Sequence, residues 1–137
     1  MSDSAQMLLA STITGVVFVG SGVLMLWLAR RSEQGRLPRN QVAGVRTSLT
    51  LSSEEAWYPA QRAAAPRTRI AGWGAVAGGL LGVLAALLNL LSEVALPVFI
   101  VIVFGSAAWL LGWTLAGASR AQRAARDAIG SARGERK

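Results

Sequence analysis

Three uncharged stretches divide the chain, and polar residues crowd into the gaps that remain. Residues 7–28 (MLLASTITGVVFVGSGVLMLWL) carry no charged side chain, nor do residues 70–91 (IAGWGAVAGGLLGVLAALLNLL) or 94–119. Each is longer than the roughly 20 residues that cross about 30 Å of hydrocarbon as a helix. The third run exceeds that need, and its helix is expected to start near Pro97, since proline suits a first helical turn. The pattern predicts an all-α integral membrane protein with three transmembrane helices at about 7–28, 70–91 and 96–118. Ser92 and Glu93 would join the last two as a tight hairpin. The segment before residue 7 contains Asp3 and no Lys or Arg, which argues for a retained helix rather than a signal peptide.

The charges orient this arrangement. Arg30, Arg31, Arg36, Arg39, Arg46, Arg62, Arg67 and Arg69 fall between spans one and two, and the rest of the 14 basic residues, from Arg120 to Lys137, follow span three. With all of them on one side, the positive-inside rule places the N-terminus outside, a loop of residues 30–69 in the cytoplasm and the C-terminus there too. Trp27, Trp73 and Trp113 fall near the cytoplasmic ends of their spans, where an amphipathic ring favours the headgroup layer, and Trp109, a turn deeper, reads as a packing residue. The whole chain, 1–137, reads as one membrane domain with a basic cytoplasmic tail over 120–137. That tail would extend span three as a basic helix on the inner leaflet and fray at Gly130.

Composition narrows the chemistry. Hydrophobic residues make up 53% of the chain and charged ones 15%, too apolar for an ordinary soluble domain. The formal charge of +7 is accounted for by orientation and anionic lipid, and no base-contacting pattern points to nucleic acid. The chain has no Cys and no His, so disulfides, thiolate or imidazole catalysis and the usual zinc sites are excluded, and no metal or other cofactor is expected. No charged residue lies within a span, which argues against a midplane ion pathway. Asn89 is the strong polar side chain of span two, placed to reach interfacial water or a hydroxyl of span one.

Small residues suggest how the helices meet. Gly74, Gly78 and Gly82 recur every fourth position on span two, and Ala108, Gly112 and Ala116 do so on span three. Such stripes let backbones approach closely, either within the hairpin or in a homo-oligomer. Gly15, Gly20 and Gly22 follow no such interval and suggest a thin, closely packed first helix.

The loop holds the remaining pattern. Ser52, Ser53, Glu54 and Glu55 have the form of a capping box, with Ser52 as the cap and Glu55 reaching back. A short interfacial helix is expected there, kinked by Pro59 and anchored in the headgroup layer by Trp57. Asn40 and Gly44 suit a turn, Thr47 and Thr50 can cap backbone groups, and Arg46 can bridge carbonyls, pair with Glu54 or Glu55, or grip a phosphate with its fork. A structural lock and a binding site both fit these residues.

The stretch LPRNQVAGVRTSLTLSSEEAW resembles the signature of the SdpI/YfhL family of bacterial membrane proteins, N-x-x-x-G-x-R-T-x-x-T followed by an acidic stretch and Trp. The matching positions are Pro38, Asn40, Gly44, Arg46, Thr47, Thr50, Glu55 and Trp57. After Trp57, family members often continue with His or Asn, Arg and Gly, where this chain has Gln61, Arg62 and Ala65, and Pro59 is unusual. The resemblance implies a multi-pass protein of the bacterial cell membrane, non-enzymatic, that confers immunity to a toxic peptide and recruits a cytoplasmic regulator through the 30–69 loop. Two other readings stand beside it. One is an interfacial lipid-phosphate binding protein or enzyme, with Arg46 on phosphate and Glu54 or Glu55 as acid or base. The other is an accessory or scaffold subunit assembled through the Gly74, Gly78 and Gly82 face.

Overall fold

A computed structural model describes residues 3–89 and 95–135, and the expected hairpin at Ser92 and Glu93 lies outside them. Among the described residues there are three helices, α1 (Asp3–Glu33), α2 (Glu54–Asn89) and α3 (Ala95–Gly134). The fold is all-α, and all three helices are long and apolar enough to cross a bilayer. Large apolar side chains stand on their outer surfaces, among them Val16 and Val17 on α1, Leu80 and Leu84 on α2, and Val101 and Phe104 on α3. So much exposed hydrocarbon suits lipid rather than water as the surrounding solvent.

The helices are longer than the uncharged runs. α1 continues through Arg30 and Arg31 to Glu33, and α3 passes through Gly130 without fraying and ends at Gly134. The short interfacial helix is not found. Residues 54–89 form one continuous helix that contains both Pro59 and Pro66. Each proline removes one N–H, and the two missing donors fall close to the same helix face, so the interruption is local and the ladder continues on the other faces. Pro97 occupies the first turn of α3, where its missing N–H has no intrahelical partner to lose.

The chain divides into two compact units. The first comprises Met1–Leu24 and Ala71–Leu111. Within it α2 meets α1 on one face and α3 on another. A methyl group added at Gly22 would stand 2.6 Å from the Gly72 carbonyl oxygen, and one at Gly79 would stand 2.7 Å from the Gly15 carbonyl oxygen. At these points backbone lies directly on backbone, the close approach that small residues permit in membrane helices. Gly20 faces open space. On the other side of α2, Gly74 lies under the Trp109 indole, Gly78 against the Ser106 hydroxyl, and Gly82 near Phe99 and Ile102.

The second unit comprises Met25–Ile70 and Gly112–Lys137. Its core is built from alanine: Ala56, Ala60 and Ala64 of α2 pack with Ala121 and Ala125 of α3, and Val45, Leu49 and Ile129 close over them. Gly117 continues the α3 series and lies within 3.8 Å of Ala64 at the position a side chain would fill. The basic segment after Arg120 therefore packs on the first turns of α2 by its alanine face.

Candidate functional site

The turn that follows α1 sets the loop's starting direction. Gly35 has φ +65°, its N–H donates to the Ser32 carbonyl at 3.2 Å, and the Arg36 N–H donates to the Arg31 carbonyl at 2.9 Å. This is a Schellman closure, which needs a left-handed residue and so favours glycine. Leu37 then turns inward and is buried.

From Pro38 to Ser53 the loop bonds to itself and to α2. Asn40 Oδ1 accepts from the N–H groups of Val42 at 2.8 Å and Ala43 at 2.7 Å, while its Nδ2 donates to the Pro38 carbonyl at 2.7 Å. An Asx turn results. Gly44 follows with φ +97°, and a methyl group there would stand 2.6 Å from Gln61 Oε1. Conformation and space both favour glycine at this position. Thr50 is fully buried, and its hydroxyl donates to the Val45 carbonyl at 2.8 Å and accepts from the Thr47 N–H at 2.9 Å. In return Thr47 Oγ1 accepts from the Thr50 N–H at 3.2 Å. Arg39 donates to the Leu51 carbonyl at 3.0 Å, and Arg46, which is exposed, donates to the Gln41 carbonyl.

Helix α2 supplies the anchor. Trp57 is fully buried and its indole N–H donates to the Leu37 carbonyl at 2.8 Å, so it ties the loop's entry to the helix and is no headgroup anchor. The cap is Ser53, whose Oγ accepts from the Ala56 N–H at 3.2 Å. Ser52 instead donates to the Leu49 carbonyl at 2.7 Å, one residue ahead of the cap. Glu54 and Glu55 occupy the first turn, where negative charge suits the helix dipole, and both are exposed. Trp27 and Trp73 are exposed, and the Arg31 guanidinium lies 4.8 Å from the Trp27 ring centre.

The loop motif is thus drawn together: Asn40, Gly44, Arg46, Thr47 and Thr50 form one hydrogen-bonded knot, and Trp57 holds its base. Glu54 and Glu55 lie in the first turn of α2. The small-residue positions separate. Gly74, Gly78 and Gly82 face Trp109, Ser106 and the Phe99 and Ile102 pair, whereas Ala108 and Gly112 are exposed and Ala116 is half-buried. Besides Ser106, the small residues of α3 that meet α2 include Gly117, Ala121 and Ala125. The side chain of Asn89 lies outside the described residues.

Beneath the knot is a cleft of about 360 Å³. Arg46, Thr47 and Gln61 are among its polar lining residues, and Met25, Leu28 and Leu115 among its apolar ones. In sequence Gln61 is a departure from the motif that falls on one side of the helix with Trp57 and Ala64; in the structure it is buried and bonds the loop backbone directly. Its signal was its place one turn beyond Trp57 on the same helix face.

A model of the SdpI/YfhL protein family matches residues 36–116, more than half of the 137-residue chain. The chain belongs to that family. The matched region opens at Arg36, takes in the whole knot and α2, and ends within α3 at Ala116. The chain is therefore a multi-pass membrane protein of the SdpI/YfhL family. No curated protein and no solved structure matches it.

Proposed function

We propose that this SdpI/YfhL-family protein is a non-enzymatic protein of the bacterial cytoplasmic membrane that gives immunity to a toxic peptide and signals by presenting its loop to a cytoplasmic partner. In this reading the N-terminus lies outside and the knot lies inside, because the basic residues all fall in 30–69 and 120–137. The carrying observation is the form of the loop. A connector between spans could be slack, but here the Asx turn of Asn40 holds Val42 outward at 84% exposure. An apolar side chain fixed on a loop tip, with Arg39 and Arg46 bonded on either side of it in sequence, suits a partner surface that combines an apolar pocket with acidic groups.

Cells lacking the protein should lose viability in conditioned medium from their own wild-type culture, and the wild-type gene should restore it. Val42→Asp should not restore it, although the variant reaches the membrane in equal amount. Full protection by Val42→Asp would remove the loop tip from the function.

A further inference from the structure

The cleft below Arg46 stands at a boundary shared by all three helices. Met25 and Leu28 are among the last residues of the first uncharged run, Leu115 and Ala118 close the third, and Thr68 lies just before the second. On every helix the charged sequence begins within a turn or two of the cleft. That transition is where a membrane protein passes from hydrocarbon to headgroups.

Its lining is polarised accordingly. Arg46 is the charged residue among those that line it, and no carboxylate does so among the described residues. Thr47, Thr68 and the nine-tenths-buried Ser32 add hydroxyls, and Met25, Leu28 and Leu115 supply the apolar side. One guanidinium N–H is committed to the Gln41 carbonyl, which leaves the other donors of the fork for an anion. The backbone on either side of Arg46 is fixed, since the Val45 N–H and carbonyl and the Thr47 N–H are all bonded. A held arginine loses less freedom on binding than a free one. The volume of about 360 Å³ is within the range of small-ligand pockets.

We propose that this cleft holds an anionic glycerophospholipid drawn from the surrounding leaflet, its phosphate on Arg46 and the start of one acyl chain against Met25, Leu28 and Leu115. A bilayer supplies such a molecule at the height where the cleft opens, with charge and hydrocarbon in the required order. The assignment does not depend on the loop tip recruiting a partner, because Val42 does not line the cleft.

The test is native mass spectrometry of the full chain extracted from vesicles of equal phosphatidylglycerol and phosphatidylcholine. The wild type should keep phosphatidylglycerol in preference, and Arg46→Ala should lower its retention about tenfold, the factor that a difference of about 1.4 kcal/mol gives. Ala118→Leu, which narrows the cleft and leaves Arg46 in place, should lower it as well, and Arg36→Ala should not. Excess inorganic phosphate should fail to displace the lipid, because the apolar contacts are not available to it. Equal retention of both lipids overturns the proposal, as does displacement by free phosphate. Loss in Arg46→Ala with full retention in Ala118→Leu assigns a surface charge contact and overturns the cleft. Should Arg46→Ala lose its helix content, Ala118→Leu decides alone.

Discussion

The side chain of Gln61 bonds both backbone groups of Val45: its Oε1 accepts from the Val45 N–H at 2.9 Å and its Nε2 donates to the Val45 carbonyl at 2.9 Å. A primary amide offers a donor and an acceptor side by side, so one glutamine does for Val45 what a neighbouring strand would do in a sheet. The consequence is a loop clamped to α2 at its centre.

Gln61→Leu should therefore loosen the loop without disturbing the spans. The Val45 N–H loses its partner in a part-buried place, at a cost of about 1–3 kcal/mol. The Val45 carbonyl still accepts from Thr50. Limited trypsin digestion should cut faster after Arg39 and Arg46, while helix content in detergent stays unchanged. A cleavage rate equal to the wild type would show that the Thr50 bonds alone hold the knot.

The glycines of α1 separate by what they touch. Gly22 meets the Gly72 carbonyl and Gly20 meets nothing. Gly20→Ala should raise the melting temperature slightly, as alanine is favoured over glycine in a helix by up to about 1 kcal/mol. Gly22→Ala should lower it, because the Gly72 carbonyl oxygen and the Val76 backbone nitrogen, which cannot swing aside, stand in the way together with Val76 Cγ2. Thermal unfolding of the two variants in one detergent makes the comparison, and the same shift in both would remove the α1 and α2 contact at that point.

These contrasts also explain what the sequence revealed and what it hid. The three membrane helices follow from uncharged length, and the polar knot from residues whose local bonding habits are strong, such as Asn40 and Gly44. The extension of α2 was hidden because Pro59 argues for a break, while Ala56, Ala60 and Ala64 could only be recognised as a packing face once Ala121 and Ala125 lay opposite. Gly15 with Gly22, and Gly72 with Gly79, are spaced by one heptad, a repeat that a search at intervals of four passes over. Trp57 has the same amphipathic chemistry at an interface and in a core. Only the position of the Leu37 carbonyl distinguishes them.

Orientation can be read directly because the chain has no cysteine. Val42→Cys introduces one thiol at the exposed loop tip. In intact cells a membrane-impermeant maleimide should leave it unlabelled, and lysis should make it react fully. Labelling in intact cells would turn the protein over and place the knot outside.

Trp57 allows its ring and its N–H to be separated. Trp57→Phe keeps most of the buried ring but leaves the Leu37 carbonyl without its donor, a cost of about 1–3 kcal/mol for a buried acceptor left unpaired. Trp57→Ala removes the ring as well and should cost about 3–5 kcal/mol, the range for emptying an aromatic site in a core. Leu37, itself buried, is the residue that would then lose its seat, so the loop should open from its entry and trypsin should cut faster after the already exposed Arg36 and Arg39. The expected order of thermal stability is wild type, Trp57→Phe, then Trp57→Ala, with the loop cut fastest in the last. If Trp57→Phe proved as unstable as Trp57→Ala, the N–H to Leu37 would be the dominant tie and packing the lesser one. If both matched the wild type, Trp57 would not hold the loop, and the Gln61 clamp would have to do so unaided.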